Sequence, residues 1–166
     1  MKKPVFSIII PVRQINDYIR ETKSYIRKQT YKKYELLVIT DQISQQANPS
    51  FKRNLGAKMA RGKYLAFIDD DSYPNRNWLK NALSVFKQYP HVSAVCGPCL
   101  VPPKDNIYQK ASGLLWSSFM GSGGAGQYRN SPQSPRPVDD FPSVNLIVRR
   151  SDFLKIGGFN QKYWPG

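Results

Sequence analysis

Three carboxylates stand in a row at Asp69, Asp70 and Asp71, where an apolar run from Tyr64 to Ile68 stops. Adjacent carboxylates repel one another, and each is costly to desolvate without a partner. A cation between them is the simplest relief. Carboxylate oxygens suit a hard divalent ion, Mg²⁺ or Mn²⁺, which commonly also holds substrate phosphates. A further acid, Asp41, stands immediately after a second apolar run, Tyr34 to Thr40, and Lys52 and Arg53 precede Asn54 on the segment between the two acidic positions. Acids that hold a metal, with basic groups nearby, meet the needs of a nucleoside diphosphate. The metal offsets the pyrophosphate charge, and a spare carboxylate accepts from base or ribose hydroxyls. The competing reading is a solvated acidic turn before a helix, where Asp favours the positive helix end.

These acids need strands to place them. Tyr64 to Ile68 reads as a buried strand of a parallel sheet, short and apolar on both faces. The acids then sit at its carboxyl end, where open α/β sheets bind ligands. Val5 to Val12 reads as the first strand and Tyr34 to Thr40 as the second. Asn16 caps a helix running to about Lys28, with Tyr18, Ile19, Thr22, Tyr25 and Ile26 at helical spacing. A polar loop is expected over Gln42 to Pro49, then a helix from Phe51 to Arg61 that stops at Gly62. The spacing predicts another helix from Asn77 to Gln88, with Trp78, Leu79 and Leu83 facing the core, and a short strand from Val92 to Cys96. Alternation of this kind gives a parallel sheet with right-handed crossovers.

After residue 97 the alternation breaks. A helix is expected within Ile107 to Met120, a flexible stretch over Gly121 to Gly126, and an irregular proline-rich segment from Ser131 to Pro137. This middle section reads as a mobile loop over a site. Ser143 to Arg149 is expected as a strand, Ser151 as the cap of a short helix, and Gly157-Gly158-Phe159 as a turn.

The composition narrows the class. The 166 residues suit one domain with a real core, and 40% hydrophobic content argues against disorder. No apolar run approaches the ~20 residues of a membrane helix. The run after Lys2 and Lys3 ends at Pro11 without a small-residue cleavage site, so it reads as a strand of a cytosolic protein. The net charge of +14 attracts polyanions, among them an anionic membrane leaflet. The basic residues form no recognisable nucleic-acid module, so no specific nucleic-acid partner is expected.

Other chemistry-bearing residues read as structural. Cys96-Gly-Pro-Cys99 has the spacing of a thioredoxin-like redox pair, but Pro102 and Pro103 forbid the helix that would activate the first thiol. His91, the one histidine, reads as a surface residue. Asp139 and Asp140 lie ahead of the last strand and read as loop residues.

Five segments occur here in one order: Val5-Phe-Ser-Ile-Ile-Ile-Pro-Val12, Tyr34-Glu-Leu-Leu-Val-Ile-Thr-Asp41, Arg53-Asn-Leu-Gly56, Gly62-Lys-Tyr-Leu-Ala-Phe-Ile-Asp-Asp-Asp71, and Arg149-Arg-Ser-Asp-Phe-Leu-Lys-Ile-Gly-Gly-Phe159. Together they resemble the inverting family 2 glycosyltransferases, and the resemblance spans essentially the whole chain. It implies the GT-A, Rossmann-like α/β fold, with a central mostly parallel sheet flanked by helices. Residues 1–97 would form the nucleotide-binding half and 98–166 the start of the acceptor half. It implies transfer of a sugar from a nucleotide-sugar donor, UDP-linked, to a saccharide or lipid-linked acceptor, in surface polysaccharide or glycolipid synthesis. The protein would be cytoplasmic and peripheral at the inner face of the membrane. By position, the resemblance puts Pro11 and Val12 against the nucleobase and makes Asp41 an acceptor from it. Arg53 would lie near the nucleotide. Asp69 would be the ribose-side acid, Asp70 the variable middle residue, and Asp71 the ligand of Mg²⁺ or Mn²⁺. The family's general base follows a Pro-Gly such as Pro165-Gly166, so it is expected after Gly166. The sequence departs from the family at Arg13-Gln14, where Tyr-Asn is usual. A nucleotide-binding module without transfer activity is the alternative reading.

Overall fold

The computed structural model describes residues 3–102, 104–138 and 140–163. Of the acidic pair expected in a loop, Asp139 lies outside the described residues, as does Gly166. The chain divides into two compact units: the residues through Val95 together with those from Leu146 on, and Cys96–Asn145.

The first unit is built on strand periodicity. Strands β1 (Phe6–Pro11), β2 (Tyr34–Ile39) and β3 (Tyr64–Ile68) lie side by side, with β1 in the middle and parallel to both. β1 and β3 are buried along their whole length, so neither face is polar, as a doubly covered parallel sheet requires. Side chains alternate between two cores. Phe6, Ile8, Ile10, Tyr64, Ala66 and Ile68 pack on one face with Ile19 and Ile26 of α1 (Asp17–Arg27). Ile9, Leu65 and Phe67 pack on the other, with Ala57 and Phe153. Asn16 caps α1 as its type predicts, its side chain accepting from the Ile19 amide at 3.0 Å.

The Gln42–Pro49 segment is not all loop. Thr40 caps the single turn α2 (Asp41–Ser44), and Asn48 caps α3 (Pro49–Met59), whose first residue is the proline that a first helical turn tolerates. α3 therefore starts and ends two residues earlier than expected. Its stop is Ala60, in extended conformation, and not Gly62. Gly62 serves a different purpose. A Cβ there would lie 2.7 Å from the Phe6 carbonyl carbon and the Ser7 nitrogen, so the chain passes β1 too closely for a side chain.

α4 (Trp78–Gln88) matches its expected span and buries Leu79, Ala82 and Phe86, with Trp78 and Leu83 packed against that core. β4 (Ala94–Cys96) is shorter than expected. The second unit holds more helix than an open loop would: α5 (Ile107–Ser117), α6 (Phe119–Ser122) and α7 (Gly126–Arg129). Half of the stretch expected to be flexible, Gly121–Gly126, is taken up by two short helices, with turns at 123–125.

β5 (Asn145–Arg149) does not extend the sheet at its edge but inserts, giving the order β2-β1-β3-β5-β4. Arg149 N donates to Ser93 O (2.8 Å) and Gly97 N to Asn145 O (3.4 Å), joining the end of each strand to the start of the other. β5 is therefore antiparallel to β4. Arg150 N reaches Lys63 O (2.9 Å), so it is antiparallel to β3 as well. A parallel neighbour needs a crossover that carries the chain back to the strand's starting end. The chain instead re-enters from the end at which β4 left. The sheet is mostly parallel, as the resemblance implies, with this one reversed strand. α8 (Arg150–Lys155) follows without a turn, and Arg149, not Ser151, occupies the cap position. Ser151 Oγ bonds Asp152 Oδ1 instead (3.0 Å).

Candidate functional site

The acids converge because the strands are in parallel register. Pro11 lies opposite Ile39, and Ile9 opposite Phe67. Continued by two residues, that register brings Asp69 level with Pro11, while Asp41 stands two residues beyond Ile39. Two cross-bonds close the tip: Val12 N donates to Ile39 O (3.0 Å), and Asp41 N to Arg13 O (3.1 Å). Pro11 and Val12, Asp41, and the acids of 69–71 thus share one end of the sheet.

α3 supplies the cations. Lys52 and Arg53 have side chains only 2% and 7% exposed, which for such residues demands partners. Lys52 Nζ donates to Val12 O (3.0 Å) and to Asp41 Oδ1 (2.6 Å). Arg53 donates to Asp69 Oδ1 (2.7 Å), with its guanidinium 5.9 Å from the Phe159 ring centroid. Two of the acids are thus paired with protein cations. Arg53 Nε is buried and meets no hydrogen-bond acceptor among the described residues. With its amide on Ile39 and its carbonyl on Lys52, Val12 has only the carbonyl's second lone pair left to offer a base.

Two polar residues with no role at the site assigned from the sequence brace this tip. Asn54, next to Arg53, closes a two-way bond with the backbone of Phe159: Nδ2 donates to Phe159 O (2.8 Å), and Phe159 N donates to Oδ1 (2.9 Å). Gly158 lies under it at φ +81°, where a Cβ would be 2.5 Å from Asn54 Oδ1. Thr22, fully buried on α1, reaches Asp70 O (2.6 Å) and Ser72 O (3.0 Å). Its helical spacing with Ile19 and Ile26 marks it as inward-facing, but nothing in the spacing names its partner.

The donor set fits a divalent ion only with help from a ligand. Among the described residues no group of three His, Cys, Asp or Glu is placed to cage a metal. Asp69 is engaged by Arg53, while Asp71 is exposed at the tip. A site with one or two carboxylates, completed by phosphate oxygens and water, is how Mg²⁺ is usually held. Asp71 fits that role with hard oxygen ligands.

The remaining candidates lie elsewhere. Burial pushes the Cys96 thiol up from its ordinary value, the reverse of an activated redox cysteine, and among the described residues no helix begins between Cys96 and Ile107. His91 is exposed in a turn. Asp140, in the second unit, is held by Tyr128 Oη and the Arg129 guanidinium. A hollow of about 110 Å³ lined by Asn54, Lys58, Phe153, Leu154, Gly157 and Gly158 includes none of the tip acids and is small for a nucleotide.

This architecture is that of the GT-A glycosyltransferases. The mannosyltransferase PcManGT of Pyrobaculum calidifontis, solved with GDP-Man and Mn²⁺, matches 96% of this chain and 48% of its own at a TM-score of 0.64 and 19% identity. Residues 1–349 of Staphylococcus aureus TarS match 95% of this chain and 50% of their own, with a TM-score of 0.65 and 19% identity. Glycosyltransferase AglE of Haloferax volcanii is 29% identical over 106 residues, 49% of this chain and 35% of AglE. The poly(ribitol-phosphate) β-N-acetylglucosaminyltransferase TarS is 28% identical over 109 residues, 51% of this chain and 19% of TarS. The chain therefore spans no more than about half the length of these proteins. Residues 43–157 match the Glycosyl transferase family 2 profile, and the chain belongs to that family.

Proposed function

We propose that the protein transfers a sugar from a UDP-linked donor to a saccharide or lipid-linked acceptor hydroxyl, with inversion at the anomeric carbon. The nucleotide lies at the carboxyl ends of β1, β2 and β3. Pro11 and Val12 flank the base, Asp41 accepts from it, and Asp69 faces the ribose with Asp70 beside it. Arg53 lies near the nucleotide, and its unpartnered Nε is a donor that a ligand oxygen would satisfy. Asp71 would hold Mg²⁺ or Mn²⁺. When bound, such an ion offsets the negative charge that builds on the departing diphosphate. Residues 1–97 form the nucleotide-binding half, and 98–166 belong to the acceptor half. No residue of this chain is assigned as the base.

The observation that carries this reading is one tip holding Asp41, Asp69 and Asp71 beside the buried cations Lys52 and Arg53, in a family 2 chain. The ligands of two neighbours support it: UDP-GlcNAc in a TarS structure, and GDP-Man with Mn²⁺ in PcManGT. Surface polysaccharide or glycolipid synthesis is the setting, with peripheral contact at the anionic inner face of the membrane. The +14 charge supports that contact. No helix among the described residues is long and apolar enough to cross a membrane.

Calorimetry of UDP binding with and without Mn²⁺ tests the site. Mn²⁺ is expected to strengthen UDP binding to the parent chain, and Asp71→Ala to remove that gain. UDP affinity indifferent to Mn²⁺ would overturn the metal assignment.

A further inference from the structure

We infer that Thr22 is a positioning residue for the acidic tip, so that ion-dependent nucleotide binding at Asp71 depends on a hydroxyl carried by α1. The inference rests on the donor reading above.

Ile19, Thr22, Ile26 and Gln29 follow one another at helical spacing, and all are at most 1% exposed. The two isoleucines enter the core. The two polar residues instead grip the segment that follows β3. Gln29 holds its far half: Nε2 donates to Asn75 O (2.7 Å), and Leu79 N donates to Oε1 (3.2 Å). Thr30 N adds a bond to Arg76 O (2.8 Å). Thr22 holds the near half, where the acids are.

A buried threonine inside a helix ordinarily bonds back to a carbonyl of its own helix. Thr22 Oγ1 instead lies 2.6 Å from Asp70 O and 3.0 Å from Ser72 O. One hydroxyl carries one proton, so the shorter contact is the main bond and Ser72 O shares it. These carbonyls flank Asp71. Drawing residues 70 and 72 onto one donor bends the chain at the residue between them. It also fixes the peptide plane that enters Asp71, and with it the direction in which that carboxylate leaves the backbone. Tyr73 closes the turn against the same helix, its hydroxyl donating to Glu21 Oε2 (3.2 Å) and its ring edge-on to Tyr25 at 5.1 Å. Asp69 is oriented separately, by Arg53. The tip is therefore braced from both faces of the sheet, and Asp71 depends on the Thr22 side.

The test uses Thr22→Val, which keeps the shape and removes the proton, and Thr22→Ser, which keeps the hydroxyl. UDP is titrated calorimetrically with and without Mn²⁺, beside Asp71→Ala and a thermal melt of each variant. Thr22→Val is expected to keep metal-free UDP affinity within about twofold and to lose about tenfold of the Mn²⁺-dependent gain, the scale of losing a residue that orients a metal ligand. Thr22→Ser restores the gain. Should Thr22→Val fail to fold, Thr22→Cys, a weak donor of similar size, takes its place with the same expected direction. The inference is overturned if the valine or cysteine variant keeps the full gain. It is equally overturned if metal-free and metal-dependent affinities fall in equal proportion, or if serine does not restore. Loss of the gain in Asp71→Ala, with its retention in Thr22→Val, overturns this inference alone. Retention of the gain in Asp71→Ala overturns the donor reading as well.

Discussion

Replacing Lys52 with methionine probes how the tip is held together. The lysine is 2% exposed and its ammonium bonds Val12 O at 3.0 Å and Asp41 Oδ1 at 2.6 Å. Methionine fills nearly the same volume, so cavity formation contributes little. Two losses remain. A hydrogen bond between charged groups is worth about 1.5–3 kcal/mol, and the lower end applies because water can rehydrate Asp41, whose side chain is 33% exposed. The Val12 carbonyl, beside buried backbone, loses a partner at about 1 kcal/mol. Lys52→Met should therefore destabilise the protein by about 2–3 kcal/mol, set against a total of roughly 5–15 kcal/mol for a native domain. At about 2–4 °C per kcal/mol for a chain of this size, the melting midpoint should fall by about 5–10 °C. Urea titration followed by far-UV circular dichroism measures the loss, and a double-mutant cycle with Asp41→Asn isolates the pair. A coupling above about 1 kcal/mol is expected for residues in direct contact. The reasoning fails if Lys52→Met is as stable as the parent, which would mean that the desolvation penalty had cancelled the pairing. It also fails if the two substitutions are additive.

Two further outcomes follow from the opposite end of the sheet. Burial alone would raise the Glu35 carboxyl, but hydrogen bonds from Ser7 and from the Arg61 amide and guanidinium, with the guanidinium charge, outweigh it and hold the group below its ordinary value of 4.5. A depressed folded-state pKa contributes stability that is complete above the unfolded value and is lost as pH falls through the folded one. Stability should therefore decline below about pH 4.5, and Glu35→Gln should flatten that acid limb. Parallel acid limbs in urea titrations of parent and variant would refute the assignment. Gly62→Ala places a Cβ 2.7 Å from β1 backbone atoms and strains the 2.9 Å bond from Gly62 N to Ser7 Oγ. Overpacking of that kind costs about 1–3 kcal/mol, and an unchanged melting midpoint would count against the close approach.

Local patterns were enough for much of this protein. Apolar runs ending in acids marked β2 and β3, and the 3.6-residue spacing of Ile19, Thr22 and Ile26 marked the inward stripe of α1. The ordered motifs named the family. These signals are legible because burial imposes a period on the chain itself. Packing decided the rest. Lys52 and Arg53 were legible as positive charge near the acids, but not as buried partners of Asp41 and Asp69, because that depends on how α3 lies across three strand ends. The reversal of β5 between β3 and β4 left no mark in a run of apolar residues, since either direction buries the same side chains. Thr22 bonds a residue 48 positions away, and Asn54 bonds one 105 positions away. A hydroxyl or an amide in sequence shows that a partner is required when it is buried; only the tertiary fold brings that partner within reach.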